Sequence, residues 1–188
     1  MNVLCLGEIC EDEIIHSRVP ANAEGYDIII IGKPTDNSGM GGAAFASLQL
    51  DEKDKEANKD MGAGGNVCAT VELVEAGGFG AEVDLAKVHT AMEGLHPSVV
   101  ACAETQERLC WTCDPSLTQM ILDHYNKEWD LPGVSVGARA SLVGKVKKGN
   151  YVLKFGDQVL VDANPSDVTR GLQYERAFTD PQRKFTEP

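Results

Sequence analysis

"KDMGAGGNVCATVELVEAGGFGAEVDL" (Lys59–Leu85) sets an acid before a glycine cluster, then an apolar run, then a clean alternation. Val67, Val71 and Val74 recur at helical spacing and predict an amphipathic helix from about Asn66. Gly77 and Gly78 end it, because glycine adopts the left-handed cap that other residues resist. Phe79, Ala81, Val83 and Leu85 then share one face and Glu82 and Asp84 the other, which predicts a half-buried strand. A helix stopped by glycine and followed at once by a strand belongs to a sheet with helices laid on it.

Working outward, "YDIIIIGKPTDNSG" (Tyr26–Gly39) holds four isoleucines without alternation. That composition predicts a strand buried on both faces, ending in turn residues. "NVLCLG" (Asn2–Gly7) is a short strand candidate, and "MGGAAFASLQL" (Met40–Leu50) opens like a helix. "DEKDKEANK" (Asp51–Lys59) is a solvated charged stretch. "SVVACAETQERLCWTC" (Ser98–Cys113) reads as a loop and then a strand. Asp114 and Pro115 open a helix whose apolar face is Leu117, Ile121 and Tyr125. "GVSVGARASLVGKV" (Gly133–Val146) reads as a strand, and "YVLKFGDQVLVD" (Tyr151–Asp162) as a hairpin turning at Gly156-Asp157. From about Ala163 the chain is polar and proline-bearing and reads as extended. The class is α/β (α+β), a mixed β-sheet flanked by helices. Residues 1–178 read as one domain and 179–188 as an extended tail.

The 188 residues suffice for a sizeable core, and 43% hydrophobic with 24% charged residues is the balance of a soluble globular protein. No apolar run approaches the roughly 20 residues of a membrane span. "MNVLCLGEIC" lacks the form of a signal peptide, so the expected compartment is the cytoplasm and no membrane partner is expected. A net charge of −12 disfavours nucleic acid as a partner. Of six cysteines (Cys5, Cys10, Cys68, Cys102, Cys110 and Cys113), only "CWTC" (Cys110–Cys113) has redox or zinc spacing. It sits in a predicted strand rather than at a helix start and has no second pair, so no chemistry is assigned to it. The four histidines lack metal-ligand spacing.

Three stretches carry candidate chemistry. Asp60 precedes Gly62, Gly64 and Gly65 at a turn into a helix. Backbone N–H groups there can cradle an anion, but a carboxylate beside a bare phosphate repels it. Magnesium between the two resolves the conflict, since it takes one or two carboxylates plus phosphate oxygens. On this reading Asp60 binds Mg2+ and the glycines admit phosphate close to backbone; a plain turn with an acid near a helix start is the default, since glycine-rich turns are common. Glu104, Thr105 and Gln106 enter a strand together, and an amide beside a carboxylate suits ribose hydroxyls or an amidine. A solvated loop is the alternative, with Glu107 and Arg108 in local ion pairs. "GMGGAAFAS" (Gly39–Ser47) lacks the lysine of a phosphate loop and reads as close packing of small residues.

The order "GGAAFAS", "DMGAGG", "GGFGAEVDLAKV", "EGLHPSVVACAETQERL" resembles the large subunit of the phosphoribosylformylglycinamidine synthase family, in its first C-terminal-type domain. That domain belongs to the aminoimidazole-ribonucleotide-synthetase-like superfamily. The resemblance runs from about Tyr26 to Phe178. It implies an ATP-dependent ligase of purine biosynthesis that converts formylglycinamide ribonucleotide, with glutamine-derived ammonia, to the amidine. It implies magnesium at Asp60 and ribonucleotide contacts at Glu104, Thr105 and Gln106, with Thr105 where the family usually has serine. It implies three partners: an ATP-binding domain, a second domain pair, and a glutaminase. The chain departs from the family in length, as a domain taken from a longer protein would, and in running from Lys59 straight into Asp60. Family members carry a further helix and strand there, with a substrate-contacting glutamine. Aminoimidazole ribonucleotide synthetase, selenophosphate synthetase, thiamine-phosphate kinase and a non-catalytic interaction module are the alternatives; "ETQER" favours the synthase over the other enzymes.

Overall fold

The computed structural model describes Cys10 and residues 18–37 and 64–170. The strand expected at Asn2–Gly7, the segments 39–47 and 51–59, and the tail 179–188 lie outside the described residues. So do Asp60 and Gly62.

Six strands form one sheet. They are β1 (Asp27–Gly32), β2 (Gly80–Asp84), β3 (Arg108–Cys113), β4 (Arg139–Lys147), β5 (Tyr151–Phe155) and β6 (Gln158–Ala163). The order across the sheet is β3-β1-β4-β2-β5-β6. β2 and β5 pair in parallel and every other neighbouring pair is antiparallel. The mixed sheet expected from the sequence is therefore present. Ile28 and Ile30 of β1 face one core and Ile29 and Ile31 a second, as burial on both faces requires.

The larger core lies under α1 (Gly65–Glu75) and α2 (Pro97–Cys102). Val71 and Val74 of α1 pack there with Ala81, Val83 and Leu85 from the β2 region. Tyr151 is fully buried among them, and its hydroxyl meets Thr70 Oγ1 at 2.7 Å. Burial drives the phenol pKa above its ordinary value. The smaller core lies under α3 (Pro115–Asp123), which runs on into a π-helical turn (His124–Glu128) and a one-turn helix α4 (Leu131–Val134). Asn126 ties that turn to β4 by bonding both the N–H and the C=O of Ala140.

Local signals explain most boundaries. Asp114 accepts from Ser116 N–H at 2.9 Å and Pro115 takes the first helical position of α3. Gly156 turns the β5–β6 hairpin at φ 59° while Asp157 keeps an ordinary φ, the pattern of a type II′ turn.

Four expectations need correction. Pro97–Cys102 is a helix, not a loop: His96 caps it and Pro97 starts it. Leu131–Val134 is helical, so the strand begins only at Arg139. The chain after Ala163 is not extended at first, because Pro165–Arg170 forms α5, capped by Asn164 and packed through Val168 on the larger core. Leu117 turns outward at 44% exposure, leaving Ile121 and Tyr125 to face the smaller core.

Candidate functional site

The end of β1, the start of α1 and the loop into β3 meet at one corner of the sheet. Gly32 makes the meeting possible. Its φ is 119°, and a Cβ there would lie 2.0 Å from the carbonyl oxygen of Glu107. Glu107 itself has φ 58°, which kinks the chain into β3. Its carboxylate pairs with Lys33 at 2.8 Å, so the ion pair expected at Glu107 exists, with Lys33 as the cation.

Arg108 anchors the corner. Its guanidinium donates to Thr105 O at 2.9 Å, Ala103 O at 2.6 Å, Thr35 Oγ1 at 2.7 Å and Asn66 Oδ1 at 2.9 Å. Four acceptors from three segments are thus held by one planar cation. Burial lowers its pKa somewhat and Asp36 opposes that effect. Asn66, buried in the first turn of α1, also donates to Val100 O at 2.7 Å and so joins α1 to α2. Sequence reasoning gave Arg108 only a local ion pair and Asn66 only a helix start, and gave Thr35 no part in the site. The only signal was a basic residue after the run Glu104-Thr105-Gln106-Glu107.

His89 closes the corner from below. Its Nε2 lies 2.9 Å from Gly32 O and its Nδ1 3.0 Å from Ser141 Oγ. Because a carbonyl can only accept, Nε2 carries the proton and Nδ1 accepts from the hydroxyl. Burial lowers the histidine pKa, the Gly32 contact partly offsets this, and Arg139 and Arg108 lower it further.

The polar triplet sits on this frame. Glu104 Oε1 accepts from Gly64 N–H at 2.7 Å, so its carboxylate lies over the positive end of α1. Thr105 exchanges hydrogen bonds with Asp36: its hydroxyl donates to Oδ1 at 2.9 Å and accepts from N–H at 3.2 Å. Gln106 is buried, and its side-chain oxygen has no hydrogen-bond partner among the described residues. All three line a cavity of about 930 Å³, together with Asn66, Glu72 and Arg108. Gly64 and Gly65 are in the left-handed region. A Cβ on Gly65 would meet the Ala103 carbonyl at 2.7 Å, so that glycine lets α1 approach the chain entering the triplet. Gly64 places its own N–H on Glu104.

The cavity rim is acidic: Glu104 and Glu72 line it, with Arg108 the cation behind them. Carboxylates and an amide facing a cavity bind hydroxyls and amides directly, and phosphate through a cation. Among the described residues no three His, Cys, Asp or Glu side chains are grouped to hold a metal.

Of the C-x-x-C residues, Cys110 borders the cavity and Cys113 does not, and neither has the character of a reactive thiol. Cys110 packs against the larger core and Cys113 lies in the smaller one, on opposite faces of the sheet. Burial pushes the Cys110 thiol up to about 12 and raises Cys113 as well, the reverse of what a reactive thiol needs. Among the described residues no helix is long and apolar enough to cross a membrane.

Three comparisons bear on the corner. The model of the family "AIR synthase related protein, C-terminal domain" matches residues 48–152. Phosphoribosylformylglycinamidine synthase subunit PurL of Methanothrix thermoacetophila is 38% identical over 226 residues, taking in 100% of this chain and 29% of the relative. The PurL subunit of Haloquadratum walsbyi is 31% identical over 86% of this chain and 25% of its own length. The chain thus spans less than a third of these curated relatives. Among solved structures, T. maritima PurL complexed with FGAR superposes with a TM-score of 0.70 at 22% identity, over 94% of this chain and 33% of that one. T. maritima PurL complexed with ATP gives 0.66 at 21% identity, over 94% and 31%. At that identity the structures speak for the fold.

Proposed function

The chain belongs to the family of AIR synthase related proteins, C-terminal domain, and on that premise we propose that it is the first such domain of a phosphoribosylformylglycinamidine synthase. The whole enzyme would use ATP to activate the amide oxygen of formylglycinamide ribonucleotide, and ammonia from glutamine would then displace phosphate to give the amidine. Such phosphoryl transfer depends chiefly on positioning and charge neutralisation. In this reading Glu104, Thr105 and Gln106 orient the ribonucleotide. Asp60, beside Gly62, Gly64 and Gly65, holds magnesium. The rim fits that ion, since magnesium asks for one or two carboxylates and keeps water or phosphate on its other positions. When bound it would neutralise nucleotide phosphate charge.

The observation that carries the reading is the side-chain oxygen of Gln106. A buried polar atom without a partner is destabilising by about 1–3 kcal/mol unless something binds it. Here it belongs to a cavity-lining residue, next to a carboxylate fixed by a helix N-terminus. The named relatives, both phosphoribosylformylglycinamidine synthase subunits, support the substrate class. The ATP-binding domain, the second domain pair and the glutaminase would come from the rest of the synthase, in the cytoplasm. The chain alone would therefore be inactive.

Calorimetric titration of this chain with formylglycinamide ribonucleotide, with and without magnesium and ADP, tests the reading. The expected result is measurable binding that falls about tenfold or more in Glu104→Ala, the loss of a hydrogen bond to a charged group. Equal affinity in the variant would overturn the substrate role of the triplet.

A further inference from the structure

The cavity beside the triplet has a one-sided electrostatic character. Arg108 is the only cation among its described lining residues, and four acceptors of the frame already take its N–H groups. Lys33, next to Gly32, is tied to Glu107. Asn66 is committed likewise: its oxygen accepts from Arg108 and its amide donates to Val100 O. The Thr105 hydroxyl donates to the Asp36 carboxylate and accepts from the Asp36 N–H. The lining side chains with capacity to spare are therefore acceptors. The Glu104 carboxylate has Gly64 N–H as its partner among the described residues and offers further lone pairs. Glu72 adds a second carboxylate, and the Gln106 oxygen belongs to a side chain only 8% exposed. Tyr125 and Trp129 line the same cavity, their ring centroids 5.2 Å apart, and Trp129 is 57% exposed. Aromatic faces attract cations too.

We infer that this cavity selects a planar cation bearing N–H donors, and that Glu104 makes it hold the amidine product of the proposed reaction more tightly than the amide substrate. The inference rests on the substrate reading given above and adds which of the two ribonucleotides the triplet favours. They differ at a single position. The substrate places a carbonyl oxygen there, which gains nothing from a wall of acceptors. The amidine places nitrogen there instead, takes up a proton at neutral pH, and spreads the positive charge over two nitrogens that both carry N–H. A flat cation of that kind meets a carboxylate through charge-assisted hydrogen bonds, which are stronger than neutral ones.

Two independent features point to a donor. The Gly64 N–H aims the Glu104 carboxylate without cancelling its charge, as a lysine or arginine partner would have done. The Gln106 oxygen is a buried acceptor without a partner among the described residues, and a buried acceptor asks for an N–H or O–H. The carboxylates supply the preference for charge, and the amide oxygen the demand for a hydrogen.

The experiment titrates this chain, without magnesium or ADP, with formylglycinamide ribonucleotide and with its amidine counterpart, on the parent and on Glu104→Gln. The variant keeps an oxygen for Gly64 N–H and loses only the charge. The parent should bind the amidine about tenfold or more tighter than the amide. In Glu104→Gln that preference should shrink to about threefold or less, through loss of amidine affinity. A residue that merely held α1 in place would lower both affinities together, and that result would overturn the inference. Equal affinities in the parent would also overturn it, while leaving the substrate reading intact. If neither ribonucleotide binds, the substrate reading falls, and the selectivity is read with acetamidinium and acetamide through the nuclear magnetic resonance shifts of the Gln106 side-chain amide. A saturable shift with acetamidinium alone, lost in Glu104→Gln, upholds the cation site. Equal shifts with both probes, or none with either, overturn it.

Discussion

Gln106, in the loop into β3, and Arg108, the first residue of β3, lie two residues apart, yet they belong to different kinds of region. Arg108 belongs to a frame with Thr35, Asn66 and His89, in which donors and acceptors are matched across the end of β1, α1 and β3. Gln106 belongs to a rim where its buried amide oxygen has no partner among the described residues and Glu104 keeps acceptor capacity beyond its bond to Gly64. A frame is what holds a fold together; a rim is what a fold holds out. If the distinction is right, frame substitutions should cost stability, and rim substitutions should cost binding alone.

The largest effect should come from Arg108→Met, which removes the donor to Thr105 O, Ala103 O and Asn66 Oδ1 at once and leaves Thr35 Oγ1 only its 3.5 Å contact with Asn66 Nδ2. Urea unfolding should show a loss of about 3 kcal/mol or more, as for a broken buried polar network. Next is Gly32→Ala. Its Cβ would meet the Glu107 carbonyl in a backbone region hostile to side chains, for about 2–3 kcal/mol, with Lys33 and Glu107 pushed apart. Tyr151→Phe comes third, at about 1 kcal/mol by the same assay, because Thr70 Oγ1 retains its bond to Asn66 O.

His89 adds a dependence on pH. Its folded pKa is lowered, chiefly by burial, so the unfolded chain binds the proton more readily. The stability it contributes is present above the unfolded value of about 6.5 and is lost as pH falls through the folded value. Unfolding midpoints measured downward from neutral pH should fall, and His89→Asn should remove that slope.

Much of this architecture is legible in the residues themselves. The isoleucines of β1, the valine spacing of α1 and the alternation of β2 are long enough for periodicity to speak. The Gly-Asp turn and the Asp-Pro helix start announce themselves through backbone chemistry. Pro97–Cys102 and Pro165–Arg170 are too short for a helical period, and only their starts, the caps His96 and Asn164 each followed by proline, could have marked them. The triplet was legible as a polar cluster and the structure gathers it on one cavity. Its frame was not legible, because Thr35, Asn66 and Arg108 are far apart in the chain and meet only through the sheet register. Asp60 and Gly62 lie outside the described residues.

The contrast between frame and rim comes to a point at Gln106→Met, which keeps the side-chain volume and removes the orphaned oxygen. Titration of this variant and the parent chain with formylglycinamide ribonucleotide should show affinity reduced about tenfold, in a protein whose unfolding midpoint is unchanged or higher. Undiminished affinity, or a lower midpoint, would place Gln106 in the frame and contradict the account.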